Sequence, residues 1–299
     1  MNQSPLALTR SGAVLGAAFM VLAGIAFAVV NVVTQWVAMV AGFPATSIAF
    51  WQYAFALVLS VPLLRRLGLR AMRTRFPGRH LARVLLAAFG VQAWVEGLAT
   101  VPIWQAIALV MTSPFFIIVG AKLFLGEQVG WKRWAATLTG FSGAMVILQP
   151  WSEAFTTASL LPVLAALLWG ASSLLVKDLT AHERPETITI WLLVLLTPIN
   201  AGLAAAAGFA VPTGSGFAVL VLAGLLTVVG QYFLTAAYKA ADAAYVQPFD
   251  DLKLPLNVLA GWIAFGYAPA GYLWVGAAMI LGASLFLMAS EFSKEKGRR

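Results

Sequence analysis

Long apolar runs separated by short polar connections fill the chain from one end to the other. A helix needs about 20 apolar residues to cross the ~30 Å hydrocarbon core of a bilayer. Runs of this length lie at about 13–34, 45–64, 82–101, 103–123, 132–149, 158–176, 187–207, 216–238, 244–265 and 271–290. The pattern therefore predicts an all-α membrane protein with ten transmembrane helices.

The ninth run differs from the others because it contains charges and prolines. Asp250, Asp251 and Lys253 lie in it together with Pro248 and Pro255. A proline removes a backbone donor and disturbs the preceding helical turn, so we expect both prolines to act as hinges. A charge that faces lipid costs roughly 2.5–3.5 kcal/mol. These side chains are therefore expected to face an internal, water-accessible space, as in a transport site.

Composition supports a membrane protein and excludes several chemistries. The 299 residues are 61% hydrophobic and only 10% charged, with a mean hydropathy of +0.89. A soluble protein has roughly 25% charged residues. The sequence contains no cysteine, which excludes disulfides, thiolate metal sites and cysteine nucleophiles.

The positive charges predict the orientation of the chain in the membrane. Every lysine and arginine except Lys253 lies in the termini or in connections on one side, and the connection 65–83 is the richest. Positively charged connections stay in the cytoplasm, so both termini are expected there, in a bacterial inner membrane. The determination of topology explains the basic connection better than a nucleic-acid or lipid-binding patch does. The lipid bilayer is therefore an expected partner, and nucleic acid is not.

An internal repeat divides the chain into two halves. Residues 21–35 align without a gap with residues 163–177, and Trp134 corresponds to Trp274. Each half, 10–150 and 157–292, contains five predicted spans. Because five is an odd number, the halves must run in opposite directions across the bilayer. The sequence thus predicts two inverted-topology five-helix repeats around a central cavity.

Short motifs in this order resemble a known family. They are Phe27 to Gln35, Trp169 to Lys177, Phe124-Leu-Gly-Glu127 and the pair Gly130 and Gly140. The chain resembles the drug/metabolite transporter superfamily, EamA type, and is most similar to the YddG-like bacterial amino acid exporters. Gln52, Leu192 and Tyr267 depart from residues that the family often has. The resemblance implies export of amino acids or other metabolites.

Polar residues at membrane depth supply candidates for binding the solute. Gln92 and Glu96 lie one turn apart on one face of the third helix, and Asp250 and Lys253 share a face of the ninth. Lys253 either forms an internal ion pair or binds a substrate carboxylate, while Glu96 or Asp250 would bind the amine.

Further candidates come from the repeat and from aromatic residues. Asn31 and Ser173 are repeat partners, so we expect them at mirrored depths near the cavity. Trp94, Trp169 and Tyr232 lie away from the predicted interfaces and are candidates for its wall. An aromatic cavity suits amphipathic organic solutes better than inorganic ions.

The predicted function is secondary transport without chemistry. The chain lacks a nucleotide-binding loop, an H-E-x-x-H motif and the residue pairs of intramembrane proteases, so neither an enzyme nor a cofactor is expected. His80 and His182 stand alone in connections, which argues against a metal site. We expect a monomer or homodimer that exports aromatic or other neutral amino acids, or similar metabolites, by alternating access. The alternatives are a multidrug or quaternary-ammonium exporter and a lipid-linked flippase.

Overall fold

The computed structural model describes residues 10–68, 72–113, 115–116, 119–120, 123, 130–149, 151, 156–180, 182–183, 185–240, 249, 252–266 and 271–296. This part of the chain is helical and contains no strand. Its helices are α1 Arg10–Met39, α2 Ala45–Leu67, α3 Pro77–Thr100, α4 Ile103–Val110, α5 Trp131–Leu148, α6 Leu160–Thr180, α7 Pro185–Ala206, α8 Gly214–Ala240, α9 Lys253–Phe265 and α10 Gly271–Lys296, with a 3₁₀ turn Thr157–Ser159 before α6.

Several of these helices have the length and hydropathy of membrane spans. Within the described ranges, six helical segments are long and apolar enough to cross a membrane: Val14–Met39, Ala45–Pro62, Pro77–Thr100, Thr157–Val176, Thr187–Ala206 and Gly214–Leu234. The helices α5, α9 and α10 contain shorter apolar segments. The all-helical membrane fold is therefore confirmed, whereas ten membrane crossings and the inversion of the halves stay predictions.

The fourth apolar run does not form one uninterrupted helix. Regular α-helix ends at Val110, and Met111 and Thr112 form a turn. The hydroxyl and the backbone N–H of Thr112 both donate to the carbonyl of Leu109, at 2.7 and 3.1 Å, so the chain forms a tighter turn here. Two residues later the sequence has Pro114, which lies outside the described residues and carries no backbone N–H. Apolar character predicted the run but not its interruption.

The described helix of the ninth run, α9, begins at Lys253. Pro248, Asp250 and Asp251 lie outside the described residues, so their predicted roles stay predictions. Pro255 is the third residue of α9, where the backbone N–H has no partner within the helix, so it starts the helix without breaking it. At the other end Gly266 has a positive φ of 69° and donates its N–H to the carbonyl of Trp262.

Packing between the two halves dominates the fold. The helix α1 packs against α8, α3 against α6 and α5 against α10. Each helix of the first half corresponds to the helix numbered five higher in the second half. Under this correspondence the α1–α8 contact is equivalent to the α3–α6 contact, and the α5–α10 contact is equivalent to itself. A continuous buried core includes residues from both halves, for example Leu98 and Leu196. Among the described residues, the hydrophobic core therefore extends across the seam between the halves.

Two glycines bring the backbones of α5 and α10 into contact. A Cβ added at Gly143 would lie 2.7 Å from the carbonyl oxygen of Gly276, and a Cβ at Gly276 would lie 2.6 Å from that of Gly143. Real Cβ atoms do not approach a carbonyl oxygen so closely. This crossing therefore requires glycine in both helices, as is common where membrane helices pack by dispersion.

Gly276→Ala is expected to destabilise the protein by about 1–3 kcal/mol, because the methyl group forces the two backbones apart. Gly282→Ala in the same helix is the matched control, since no atom lies within 4 Å of its added Cβ. That control is expected to be neutral or slightly stabilising, because alanine restricts the unfolded chain. Thermal unfolding in detergent measures both variants, and equal midpoints would contradict the close crossing.

Candidate functional site

The first polar cluster at the seam consists of Asn31, Trp94 and Asn257, here called the asparagine cluster. The Asn31 amide donates to the side-chain oxygen of Asn257 at 3.0 Å. Its own oxygen accepts the Trp94 indole N–H at 3.2 Å. Asn257 also donates to the carbonyl of Lys253 at 2.6 Å. All three side chains are buried, so α1, α3 and α9 are joined by hydrogen bonds inside an apolar bundle.

The second polar cluster joins α1, α2 and α8. The hydroxyl of Thr34 donates to the amide oxygen of Gln52 at 3.4 Å, and the Gln52 amide donates to the Thr227 hydroxyl at 3.0 Å. Thr227 in turn donates to the carbonyl of Ala223 at 2.7 Å. The side chains of Thr34, Gln52 and Thr227 are buried. Their bonds satisfy the polar groups that the apolar surroundings would otherwise penalise.

The third polar cluster is the amide pair Gln92 and Asn200, which joins α3 to α7. The Gln92 amide donates to the Asn200 side-chain oxygen at 3.0 Å. The other two atoms of the pair, Gln92 Oε1 and Asn200 Nδ2, are buried and have no hydrogen-bond partner. This pair thus presents one acceptor and one donor that no protein group satisfies.

The three clusters share two properties that matter for function. Each joins a helix of the first predicted half to a helix of the second. Each consists of amides, hydroxyls or an indole, and none of their side chains carries a charge. Gln35 contrasts with them, because its amide donates to the carbonyls of Leu98 and Val101 within the first half. The polar contacts that these three clusters make across the seam are therefore neutral ones.

Two tryptophans lie beside the asparagine cluster. The ring centroids of Trp94 and Trp169 are 5.8 Å apart, with an angle of 50° between the planes. Gly90, one turn before Trp94, allows the close approach of α6, because an added Cβ would lie 2.6 Å from the Trp169 indole. Trp169 is half-buried, so part of its ring remains available for contact.

The predicted site residues fall into two groups. Asn31, Trp94 and Trp169 lie together, and Gln92 is bonded across the seam. Glu96, Ser173 and Tyr232 are exposed side chains outside the three clusters. Lys253 is half-buried and contributes its backbone carbonyl to the asparagine cluster. Asp250 lies outside the described residues.

Other residues of the clusters were missed. Asn257, Asn200 and Gln52 are polar residues at membrane depth, but nothing in the sequence shows that each bonds to the other half. Thr34 and Thr227 gave no signal, because threonine is common in apolar helices. Ser172, next to the predicted Ser173, is the buried member of that pair and donates to the carbonyl of Arg83.

A second group of contacts joins the halves where α3 begins and α6 and α7 meet, here called the basic end. His80 is completely buried, stacks on Trp191 and lies 2.7 Å from a carboxylate oxygen of Glu183. The prediction that His80 stands alone in a connection is wrong: it lies in α3 and has a partner from the other half. The indole of Trp191 donates to the carbonyl of Met72 at 3.1 Å.

Three more contacts reinforce the basic end. Arg79 forms an exposed ion pair with Asp178, and Thr74 donates its hydroxyl to Glu183. Arg83 is buried and donates to the carbonyl of Ile188 at 2.9 Å. The arginines predicted to determine topology therefore also fasten the first half to the second.

The pKa of Glu183 predicts a loss of stability in acid. Burial raises this pKa, but hydrogen bonds from Thr74 and His80, attraction to His80 and the Arg75 N–H outweigh burial and hold it below its ordinary value of 4.5. A carboxyl with a lowered folded-state pKa stabilises the fold above 4.5, and this contribution is lost as the pH falls through the lowered pKa. Thermal unfolding between pH 7 and 3 should therefore show a steeper acid loss in the wild type than in Glu183→Gln, and parallel curves would contradict this assignment.

Within the described part of the chain, no group of three or more His, Asp or Glu side chains is arranged to hold a metal ion. The polar groups at the seam are donors and acceptors for hydrogen bonds. They can bind a solute but offer no metal ligand set.

Comparison with known proteins identifies the family. The EamA-like transporter family matches residues 14–149 and 156–289. The chain belongs to this family. The predicted resemblance to the EamA type of the drug/metabolite transporters is thereby confirmed, and the protein is a multi-pass membrane transporter of small-molecule solutes.

Individual relatives of this EamA-like transporter cover almost its whole length. A protein of Rhizobium johnstonii named "Riboflavin transporter" is 72% identical over 296 residues, which is 99% of this chain and 98% of the relative. A protein of Brucella anthropi with the same name is 53% identical over 277 residues, 91% of this chain and 98% of the relative. A solved structure titled "Crystal structure of protein" matches with a TM-score of 0.65 at 18% identity, covering 93% of this chain and 97% of that chain, and supports the fold alone.

Proposed function

We propose that this EamA-like transporter moves riboflavin across the bacterial inner membrane by alternating access. The observation that carries the proposal is the 72% identity, along 99% of the chain, to a relative named "Riboflavin transporter". At this identity nearly all residues buried at the seam are expected to be shared, so a common solute is the simplest expectation.

The chemistry of the seam supports a neutral aromatic solute. Riboflavin is a flat heteroaromatic ring with an imide edge and a chain of hydroxyl groups, and it carries no charge near neutral pH. The amides and hydroxyls of the three clusters can hydrogen-bond such groups, and Trp94 and Trp169 can stack against a flat ring. Aromatic walls with a few placed polar groups are typical of small-molecule sites.

The finer prediction from sequence, export of amino acids, has less support. A zwitterion buried between the halves would need a partner for its ammonium and one for its carboxylate. The three clusters offer no such charge. Glu96, one of the two predicted partners of the amine, is exposed, and Asp250, the other, lies outside the described residues. Amino acids therefore enter the experiment below as competitors.

Orientation is part of the same proposal. We propose inverted halves with both termini in the cytoplasm, which puts the basic end on the cytoplasmic side. The exchange of α1–α8 with α3–α6 supports equivalent halves, and the distribution of lysine and arginine supports the orientation. Because the sequence has no cysteine, single cysteines can be introduced near Ser4 and at Gly208, and each can be tested for labelling from one side of the membrane and from the other. Labelling of both from the same side would contradict the orientation.

The proposed function is tested by counterflow in proteoliposomes. Vesicles loaded with unlabelled riboflavin should accumulate radiolabelled riboflavin, and empty-vector vesicles should not. Excess neutral amino acids, a quaternary ammonium compound or a lipid-linked sugar should leave this accumulation unchanged. In the converse test, vesicles are loaded with each of these solutes, with and without a pH gradient, and counterflow of that solute is measured. Counterflow of an amino acid without counterflow of riboflavin would overturn the proposal.

A further inference from the structure

The amide pair at the seam is incomplete in a way that points to a ligand. Two primary amides can form a cyclic pair with two hydrogen bonds, yet Gln92 and Asn200 form one. Gln92 Oε1 and Asn200 Nδ2 are left buried and without a partner. A buried polar atom without a hydrogen bond costs free energy, so such atoms are rare unless another molecule satisfies them.

The two unsatisfied atoms belong to the same bonded pair of amides and differ in kind. Each is attached to the same amide carbon as an atom of the bond between the two side chains, which is 3.0 Å long. One accepts and the other donates. Gln35 Oε1 and Arg83 Nε are also buried without a partner among the described residues. Neither belongs to a side chain that is hydrogen-bonded to another side chain with an unsatisfied atom of the opposite kind. The amide pair thus offers one acceptor and one donor, carried by two side chains that are in contact.

The pair lies beside an exposed stretch of α3. Glu96 and Thr100 continue the Gln92 face of α3 toward the end opposite the basic end, and both are exposed. Asn200 itself is completely buried, and Gln92 is half-buried. The free acceptor and donor are therefore buried in the contact between the two halves, and the exposed Glu96 lies one helical turn along α3 from Gln92.

We infer that the amide pair binds the imide edge of the solute, with Gln92 Oε1 accepting its ring N–H and Asn200 Nδ2 donating to the neighbouring ring carbonyl. This inference rests on the proposed function, because riboflavin carries such an edge: N3–H lies between two carbonyl groups. Amino acids lack a ring N–H beside a carbonyl. The pair would therefore select flavins by a donor and acceptor pattern and not by charge.

The test compares riboflavin with 3-methylriboflavin, which lacks the N3–H, in the counterflow assay. Wild-type protein should prefer riboflavin by about tenfold, the effect expected of one buried hydrogen bond. Gln92→Met should abolish this preference, because methionine fills a similar volume but cannot accept the bond. Asn200→Leu should lower riboflavin transport about tenfold and keep the preference, because Gln92 Oε1 remains.

A matched control is Gln105→Met. Gln105 is also half-buried, and its amide donates to the Ser159 hydroxyl at 3.3 Å, outside the three clusters. This variant should keep the wild-type preference for riboflavin. Gln92→Leu is made in parallel and should match Gln92→Met, so that failure of one variant to fold leaves the other as a test.

The outcomes separate the inference from the proposed function. If the wild type transports riboflavin and Gln92→Met retains the preference over 3-methylriboflavin, the amide pair does not bind the imide edge and the inference is wrong. The same holds if the wild type transports both flavins equally. If the wild type transports no riboflavin at all, the proposed function itself fails.

Discussion

Replacing His80 by leucine is expected to destabilise the protein by roughly 3 kcal/mol, the largest single effect at the basic end. His80 is completely buried, and the carboxylate of Glu183 opposite it is only 8% exposed. Removing one partner of a buried pair leaves the other without compensation, which typically costs about 3–5 kcal/mol. The lower figure applies because Thr74 still donates to Glu183. Thermal unfolding in detergent gives the loss of stability.

A neighbouring ion pair provides the control for this prediction. Arg79 and Asp178 also join α3 to the second half, but their side chains are 44% and 36% exposed. Exposed pairs contribute about 0–1 kcal/mol, so Arg79→Gln should change the midpoint little. Hydrogen exchange should also be faster in His80→Leu at the start of α3 and at residues 185–191, and unchanged at the α5–α10 crossing. Equal losses of stability in the two variants would show that burial does not determine how much these contacts stabilise the protein.

The second large effect is expected in the asparagine cluster. Asn257→Leu keeps the side-chain volume but leaves the buried Asn31 amide without the acceptor that it has here. An unsatisfied buried polar group costs about 1–3 kcal/mol, so the variant should lose at least that amount. Asn31→Leu should cost a similar amount, because the Trp94 indole N–H loses its acceptor.

Combining the two substitutions distinguishes a real contact from two independent losses. In Asn31→Leu/Asn257→Leu neither amide is left facing an apolar partner, so the double variant should lose less than the sum of the single losses. The difference is the coupling free energy, expected at roughly 0.5–3 kcal/mol for residues in direct contact. The pair Thr34→Val with Asn257→Leu is the control, since these residues belong to different clusters and should give additive losses.

The sequence was sufficient to predict the class of protein and much of the helical framework. Apolar runs located the spans, because a bilayer imposes one length on every crossing helix. The motifs from Phe27 to Gln35 and from Trp169 to Lys177 were sufficient for the family. The interruption after Val110 was not predicted, because a threonine that bonds the Leu109 carbonyl looks no different in sequence from one that does not.

The site was predicted only in part, for a physical reason. Helical spacing identifies residues on one face, as for Gln92 and Glu96, but does not show which face meets which helix. The bond between Asn31 and Asn257 joins residues 226 positions apart, and that between Gln92 and Asn200 joins residues 108 apart. Such pairings depend on how ten apolar runs pack together, and hydropathy is nearly the same on all of their faces.

The solute was harder to predict than the fold. Amino acid export followed from the family resemblance and from the charges of the ninth run. The neutral clusters became visible only when helices from both halves were placed side by side. His80 shows the same limitation at the basic end, since Glu183 lies 103 positions away in the chain.

The glycine crossing of α5 and α10 has a mechanical consequence. The two main chains touch there without intervening side chains, so any sliding that brings a larger residue into the crossing must force the helices apart. If the halves move relative to each other, the smallest displacement is therefore expected along the line through Gly143 and Gly276. The largest displacement is expected for the helices farthest from that line.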